Sequence, residues 1–409
     1  MPVFSVAEMK RRFAGVLRGL EDRKLDGLFL HSADNVYYIS GVPLLSAWGR
    51  PMWAALGRNG DTTSRSGAAS SGGGAAVDSD WAACVIGAEL EKENMEGNTW
   101  FKEIRVYTDD ENVWQAGLRL AVDFIRQRCP RVSRLGVERS LLPVGILEGL
   151  QAAFPGAEFV EAGDLLAELR LVKSGEELSL LRVGADVAKI GANAFLEAMS
   201  ENVTELTVAA RAVLEMDRAL GALFPDGATS AYAYSHFGDH TLSPHHHPTG
   251  RRLRRGDVVA LNVFPVVWGY CMELERTFVF GTPTLEQERA LSAVNEAFEA
   301  AKARVVPGAS MADLDRLTRD LLKSRGFDRY IRHGTGHAHG IMIGAAGREE
   351  PGELRVYNQR RLEPGMVNSV EPGVYIPGLG GFRHSDVMLV TEEGAVCLTT
   401  FPRDIHYRG

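Results

Sequence analysis

The stretch that most restricts how this chain folds is "GDVVALNVFPVVWGYCMELERTFVFG", Gly256 to Gly281. The runs Val258–Val267 and Thr277–Phe280 are rich in β-branched and aromatic residues and read as buried strands around a turn. One amide and two carboxylates, Asn262, Glu273 and Glu275, are embedded in this apolar setting. A charge withdrawn from water has to be paired, hydrogen-bonded or bound to a cation. The hairpin is therefore a candidate site for a metal ion or a charged substrate.

The rest of the chain surrounds the hairpin with two differently patterned halves. Up to about residue 160, helix and strand signals alternate. Met9–Arg23 reads as a helix, Leu25–Ser32 as a strand, and Asp34–Gly41 as a short helix with an Asx-type cap. Further strands are expected in "CVIGAELEKENM", "IRVYTD" and "RLGVER", with a helix in "WQAGLRLAVDFIRQRC". This is the order of an α/β layer domain. Residues 62–80, Ser/Gly-rich and low in complexity, are expected to be a flexible excursion within a hairpin. Ser174 and Glu177 form a capping box ahead of a long amphipathic helix, which puts the domain boundary at 171/172. Beyond it, helices at Glu205–Leu220, Leu285–Ala303 and Met311–Ser324 interleave with strands at Asp257–Val267, Glu275–Phe280, Met366–Val374 and Asp386–Thr391. An antiparallel sheet covered by helices fits this order, so the fold class is α/β (α+β).

At 409 residues the chain has ample core for two domains. Its net charge of -8 offers no basic footprint for nucleic acid and no polybasic membrane patch. Cys84, Cys129, Cys271 and Cys397 are scattered without zinc-like spacing, as expected of reduced thiols in a cytoplasmic protein. The first twenty residues have the pattern of an amphipathic helix, not of a signal peptide, and no apolar run is long enough to cross a membrane.

Three stretches beyond the boundary carry candidate chemistry. "SPHHHPTG" supplies His245, His246 and His247 just before the strand pair. In "RHGTGHAHG", His333, His337 and His339 alternate with glycines that permit close backbone approach, and residues two apart share a strand face. In "NSVEPGVYIPGLGGFRHSDVMLV", Glu371 precedes a Pro-Gly turn, and His384 and Asp386 stand at the start of a strand.

With the strand pair, these phrases resemble the "pita-bread" superfamily of creatinase, aminopeptidase P, prolidase and methionine aminopeptidase. The first half resembles the N-terminal domain shared by creatinase and prolidase. The two-metal pattern of the peptidases falls on Asn262, Glu273, His337, Glu371 and Ser385, so two charged ligands are replaced. These departures run toward creatinase, the member that works without metal, and "LNVFP" and "ELERT" are similar to its phrases. That resemblance implies a metal-independent hydrolase of a C–N bond in a small zwitterion carrying a carboxylate and a guanidine- or amidine-like cation. His245 would be the base, with His246 and His247 as rival candidates, Glu275 and Glu371 would hold the cation, and Glu273 and His337 would orient the cluster. Trp48 and Arg50 in "WGRP" would complete the site of a second subunit in a homodimer, with Arg348 clamping the substrate carboxylate. Tyr270 and His384 would line the pocket. No cofactor is expected on this reading. Two alternatives stay open: an Xaa-Pro aminopeptidase or dipeptidase with manganese or another divalent metal on Glu273, His337 and Glu371, and an inactive member serving as a binding module.

Overall fold

In a computed structural model of the chain, residues 3–43, 50–59, 80–343 and 350–404 are described. Backbone contacts divide the chain into two units, Met1–Leu169 with Ile343–Gly347, and Arg170–Met342 with Arg348–Gly409.

The first unit is α/β. Its elements are α1 (Val6–Asp22), β1 (Gly27–Leu30), α2 (Ala33–Ser40), β2 (Trp53–Arg58), β3 (Trp81–Ala88), α3 (Lys92–Asn98), β4 (Glu103–Tyr107), α4 (Val113–Arg128), β5 (Arg134–Val137), α5 (Val144–Ala153), β6 (Glu158–Glu161) and α6 (Gly163–Leu171). Six strands form one sheet in the order β4-β3-β2-β1-β5-β6. The central β1, β2 and β3 pair antiparallel, and the outer pairs are parallel. Phe29, Trp53, Ile86, Phe124 and Ile125 join strands and α4 in one apolar core. Two local expectations shift. Helix α2 is capped by Ser32, whose hydroxyl accepts from the Asn35 N–H at 3.4 Å, because the Asp34 carboxylate accepts from the Ile343 N–H at 2.8 Å instead. Of the Ser/Gly-rich stretch 62–80, all but Asp80 lies outside the described residues, and the strands that it joins pair from Arg58 to Trp81.

The second unit is α+β. It comprises α7 (Gly175–Ala198), α8 (Glu205–Leu223), β7 (Thr229–Phe237), β8 (Val258–Val267), β9 (Tyr270–Cys271), β10 (Leu274–Val279), α9 (Leu285–Lys302), α10 (Met311–Ser324), β11 (Val367–Val370), β12 (Gly373–Ile376), β13 (Gly380–Arg383), β14 (Asp386–Thr391) and β15 (Gly394–Cys397). The strands pair antiparallel throughout, in groups β10-β8-β7 with β9 on β8, β11-β14-β15, and β12-β13. Ser174 and Glu177 close the capping box of α7. The run Met366–Val374 is not one strand. It breaks between β11 and β12 at Glu371–Pro372, because a proline has no N–H to continue a ladder. Strand β7 was not anticipated, since its alanines and serines dilute the β signal. The β8–β9 hairpin turns through Trp268 and Gly269, both at positive φ (49° and 78°), as a two-residue hairpin loop requires. Among the described residues no helix is long and apolar enough to cross a membrane. All four cysteines are free.

Candidate active site

Strand β10 pairs with β8 so that Glu275 lies opposite Asn262. Side chains alternate along a strand, so Glu273, Glu275 and Thr277 share one face while Leu274, Arg276 and Phe278 take the other. On that other face Arg276, fully buried, pairs with Asp386 at 2.7 Å and donates to the carbonyls of Ser385 and Phe401 at 2.8 Å. The pair ties β10 to the start of β14. A backbone bridge between Glu275 and Ser385 completes the alignment and brings Arg383 and Ser385 onto the face of the glutamates. Ser385 Oγ donates to Glu273 Oε1 at 2.7 Å.

The histidines come from a segment that runs antiparallel along β11. Ser369 N–H donates to the His337 carbonyl at 2.8 Å, and His339 N–H to the Val367 carbonyl at 2.8 Å. The approach is close enough that only glycine fits at Gly336: a Cβ there would lie 1.9 Å from the Ser369 carbonyl oxygen. Since that neighbour is backbone, Gly336→Ala must push the segment off β11. The expected cost is about 1–3 kcal/mol of overpacking, with loss of metal uptake as His337 moves. Urea unfolding checks the first and equilibrium dialysis the second, and unchanged values for both would contradict this packing.

His337 and His339 point to the same buried face, their ring centroids 4.8 Å apart. His337 Nδ1–H donates to the Ala338 carbonyl at 3.0 Å, which leaves Nε2 facing Glu273 Oε2 at 3.5 Å and Glu371 Oε1 at 3.6 Å. His339 Nδ1–H donates to the Cys271 carbonyl at 3.3 Å and its Nε2 faces Glu273 Oε1 at 3.5 Å. At these distances Nε2 and the carboxylate need a cation between them, either a proton, which makes the imidazolium that favours an ionised Glu273, or a metal ion. Two sets of ligand atoms converge within 4.8 Å of one another: Glu273, His337 and His339, and Glu273, Glu275 and Glu371. Imidazole and carboxylate together are a donor set that divalent metals take, so these residues fit such an ion.

One cation of the chain itself is already present. Arg383 donates from Nη2 to Glu275 in a short bond and to Asn262 Oδ1 at 3.3 Å, and its Nη1 lies 3.7 Å from Glu371. Behind it, Tyr375 hydroxyl and His333 Nε2 are 2.8 Å apart. Three buried carboxyl groups, those of Glu273, Glu275 and Glu371, face one guanidinium. Burial, together with Glu273 and Glu371, pushes the Glu275 carboxyl up to about 8 although Arg383 pulls it down. Burial also acts to raise Glu273, but His337 and His339 hold it well below the usual carboxylate range.

The other expected site residues are placed differently. Tyr270 is buried, and its hydroxyl donates to Glu177 of the α7 capping box at 2.7 Å, so it serves the scaffold. His384 falls on the opposite strand face from Arg383 and Ser385. It is fully buried, its Nδ1 accepts from the Thr277 N–H at 3.3 Å, and burial beside Arg276 lowers its pKa to about 3. His245 and His247 are exposed, while His246 stacks on His240 with centroids 4.2 Å apart. Arg50 is half-exposed and paired with Asp109. Trp48 and Arg348 lie outside the described residues. The residues that sequence reasoning left unassigned are His339 and Arg383. Their signal was the two-residue spacing from His337 and from Ser385.

Known proteins bear on the chemistry of this cluster. The model for metallopeptidase family M24 matches residues 179–392, and the model for the creatinase/prolidase N-terminal domain matches 12–172. An Xaa-Pro dipeptidase of Pyrococcus furiosus (strain ATCC 43587 / DSM 3638 / JCM 8422 / Vc1) is 27% identical over 399 residues, covering 97% of this chain and 100% of the relative. A creatinase of Bacillus sp. (strain B-0618) is 34% identical over 281 residues, covering 66% of this chain and 67% of the relative. The solved structure of a prolidase from Pyrococcus furiosus matches with a TM-score of 0.75 at 25% identity, over 95% of this chain and 100% of that one.

The metal-independent amidine hydrolase expected above is corrected by these findings. The likeness to creatinase is partial, whereas the likeness to the Xaa-Pro dipeptidase runs the length of both chains. Geometry supplies the physical reason: a guanidinium does sit between Glu275 and Glu371, but it belongs to Arg383. The roles given to His245 as base and to Glu275 and Glu371 as holders of a substrate cation go with that reading. The expected absence of a cofactor is corrected too, because the matched family is one of metallopeptidases and the donors fit a metal. By the M24 match over more than half its length, joined to the creatinase/prolidase N-terminal domain, this chain belongs to metallopeptidase family M24, among the creatinase, aminopeptidase P and prolidase hydrolases of the pita-bread fold.

Proposed function

We propose that this protein hydrolyses the peptide bond of small Xaa-Pro dipeptides with a divalent metal ion held by Glu273, His337 and Glu371. The observation that carries the reading is His337 Nε2, aimed between two buried carboxylates at 3.5 and 3.6 Å. When bound, such an ion supplies Lewis-acid polarisation of the scissile carbonyl and a water acidic enough to attack at neutral pH. The chain's own groups do the rest. Ser385 fixes one oxygen of Glu273 and so orients the carboxylate. Arg383 bridges Glu275 and Glu371 and sets the Glu371 carboxylate. Glu371 is the group suited to take the proton of the attacking water and return it to the proline nitrogen as the C–N bond breaks. The buried surroundings exclude bulk water and strengthen each of these interactions.

The test is hydrolysis of an Xaa-Pro dipeptide panel by the full-length protein, following released proline. Activity is expected to disappear on chelation and to return with manganese. A protein that binds the ion yet turns over none of these peptides would defeat the proposal and leave the inactive binding module.

A further inference from the structure

We propose that the metal centre of this protein is mononuclear, with His339 as a second imidazole ligand beside His337 and Glu273, because Asn262 and Ser385 stand where a second ion would need charged oxygens. This rests on the metal-dependent reading above and specifies its centre. The first observation is His339 itself. It is 1% exposed, its Nε2 makes no hydrogen bond among the described residues, and that atom is directed at Glu273 Oε1, 3.5 Å away. A buried imidazole nitrogen left without a partner is costly unless a cation fills the gap. Its other nitrogen is committed to the Cys271 carbonyl, which fixes the ring as a metal-ligating histidine is fixed. Glu273, His337 and His339 offer their atoms within one 4.8 Å cluster.

The second observation excludes a second ion from the adjoining space. The carboxylates on that side, Glu275 and Glu371, already face the Arg383 guanidinium, and Asn262 accepts a hydrogen bond from it. Ser385 spends its hydroxyl on Glu273. A second dication would find an amide, Asn262, and a hydroxyl, Ser385, where charged oxygens are needed to offset metal–metal repulsion.

Two imidazoles beside Glu273 and Glu371 make a donor set richer in nitrogen than a carboxylate cage. Such a set favours zinc, cobalt or iron over manganese.

The experiment is metal titration of the chelator-stripped, full-length protein with zinc and with manganese, read by elemental mass spectrometry and calorimetry. X-ray absorption of the zinc-loaded wild type counts imidazole ligands directly, without any variant. One ion per chain and two imidazoles are expected, with zinc bound at least about 100-fold more tightly than manganese. His339→Leu should weaken zinc at least about 100-fold and reduce the imidazole count to one. Two ions per chain would overturn the mononuclear centre. One ion with a single imidazole would overturn the role of His339. No ion at all would instead defeat the metallopeptidase reading itself.

Discussion

Glu273→Gln is expected to lower kcat/KM on Xaa-Pro substrates by at least about 1,000-fold, which corresponds to about 4 kcal/mol of transition-state stabilisation. Glu273 is the carboxylate common to both convergent groups of ligand atoms. Both histidines face it, and Ser385 holds it in place. Glutamine keeps the shape and can still accept the Ser385 hydroxyl, but it removes the charge that a metal requires. Folding should survive, since glutamine fills the same volume. The metal-free variant is expected to unfold at or below the temperature of the metal-free wild type, because the ionised carboxylate that His337 and His339 favour is lost. Added metal should raise the wild-type Tm, because a ligand that binds only the folded state stabilises it, and leave the variant's Tm unmoved. A variant that kept both its activity and its metal-dependent rise in Tm would remove Glu273 from the centre.

A second large effect is expected on acidification, and it originates in histidines. His236 and His333, pushed down mainly by burial, have pKa values of about 4, and His384 about 3. In the unfolded chain each titrates near 6.5. Between pH 6.5 and 4 the unfolded state thus binds more protons than the native one, so stability falls as pH falls. Each histidine contributes a slope of up to about 1.4 kcal/mol per pH unit. Three in the same window give up to about 4 kcal/mol per unit, and above pH 7 the curve should be flat on their account. The hydrogen bonds explain why protonation is resisted: Nδ1 of His384 accepts from a backbone N–H, and Nδ1–H of His333 donates to Gly334 while its Nε2 meets the Tyr375 hydroxyl. Below pH 4.5 a further loss is expected from Glu8, which Arg11 and Arg12 hold at about 2 against the effect of burial. Its stabilisation is present above the ordinary carboxylate pKa and is lost as pH falls through that of the folded state. Urea unfolding from pH 8 to 4.5 in the presence of chelator measures the histidine slope, and His384→Gln should flatten it by about a third. A midpoint constant between pH 7 and 5 would show that these histidines do take up protons in the folded protein.

The two halves, the capping box at Ser174 and Glu177, and the hairpin with its buried acids were legible from local pattern alone. The reason is that apolar period, caps and turn residues act over a few positions, so a linear string reports them directly. What the string could not report is which distant groups meet the face of the glutamates. Arg383 reaches Glu275 across 108 positions, through a bridge that also sets the phase of His384, one residue on, and turns it to the opposite side. The resemblance supplied two carboxylates waiting for a substrate's guanidinium, but the tertiary structure fills that place from within. Tyr270 was likewise drawn to Glu177 by a contact between hairpin and helix that no local rule predicts. Sequence by itself determined the family architecture and the residue types available for chemistry, because both follow from short-range physics. Which charges face each other was decided only by tertiary structure, because charge balance in a buried site is a sum over everything packed around it.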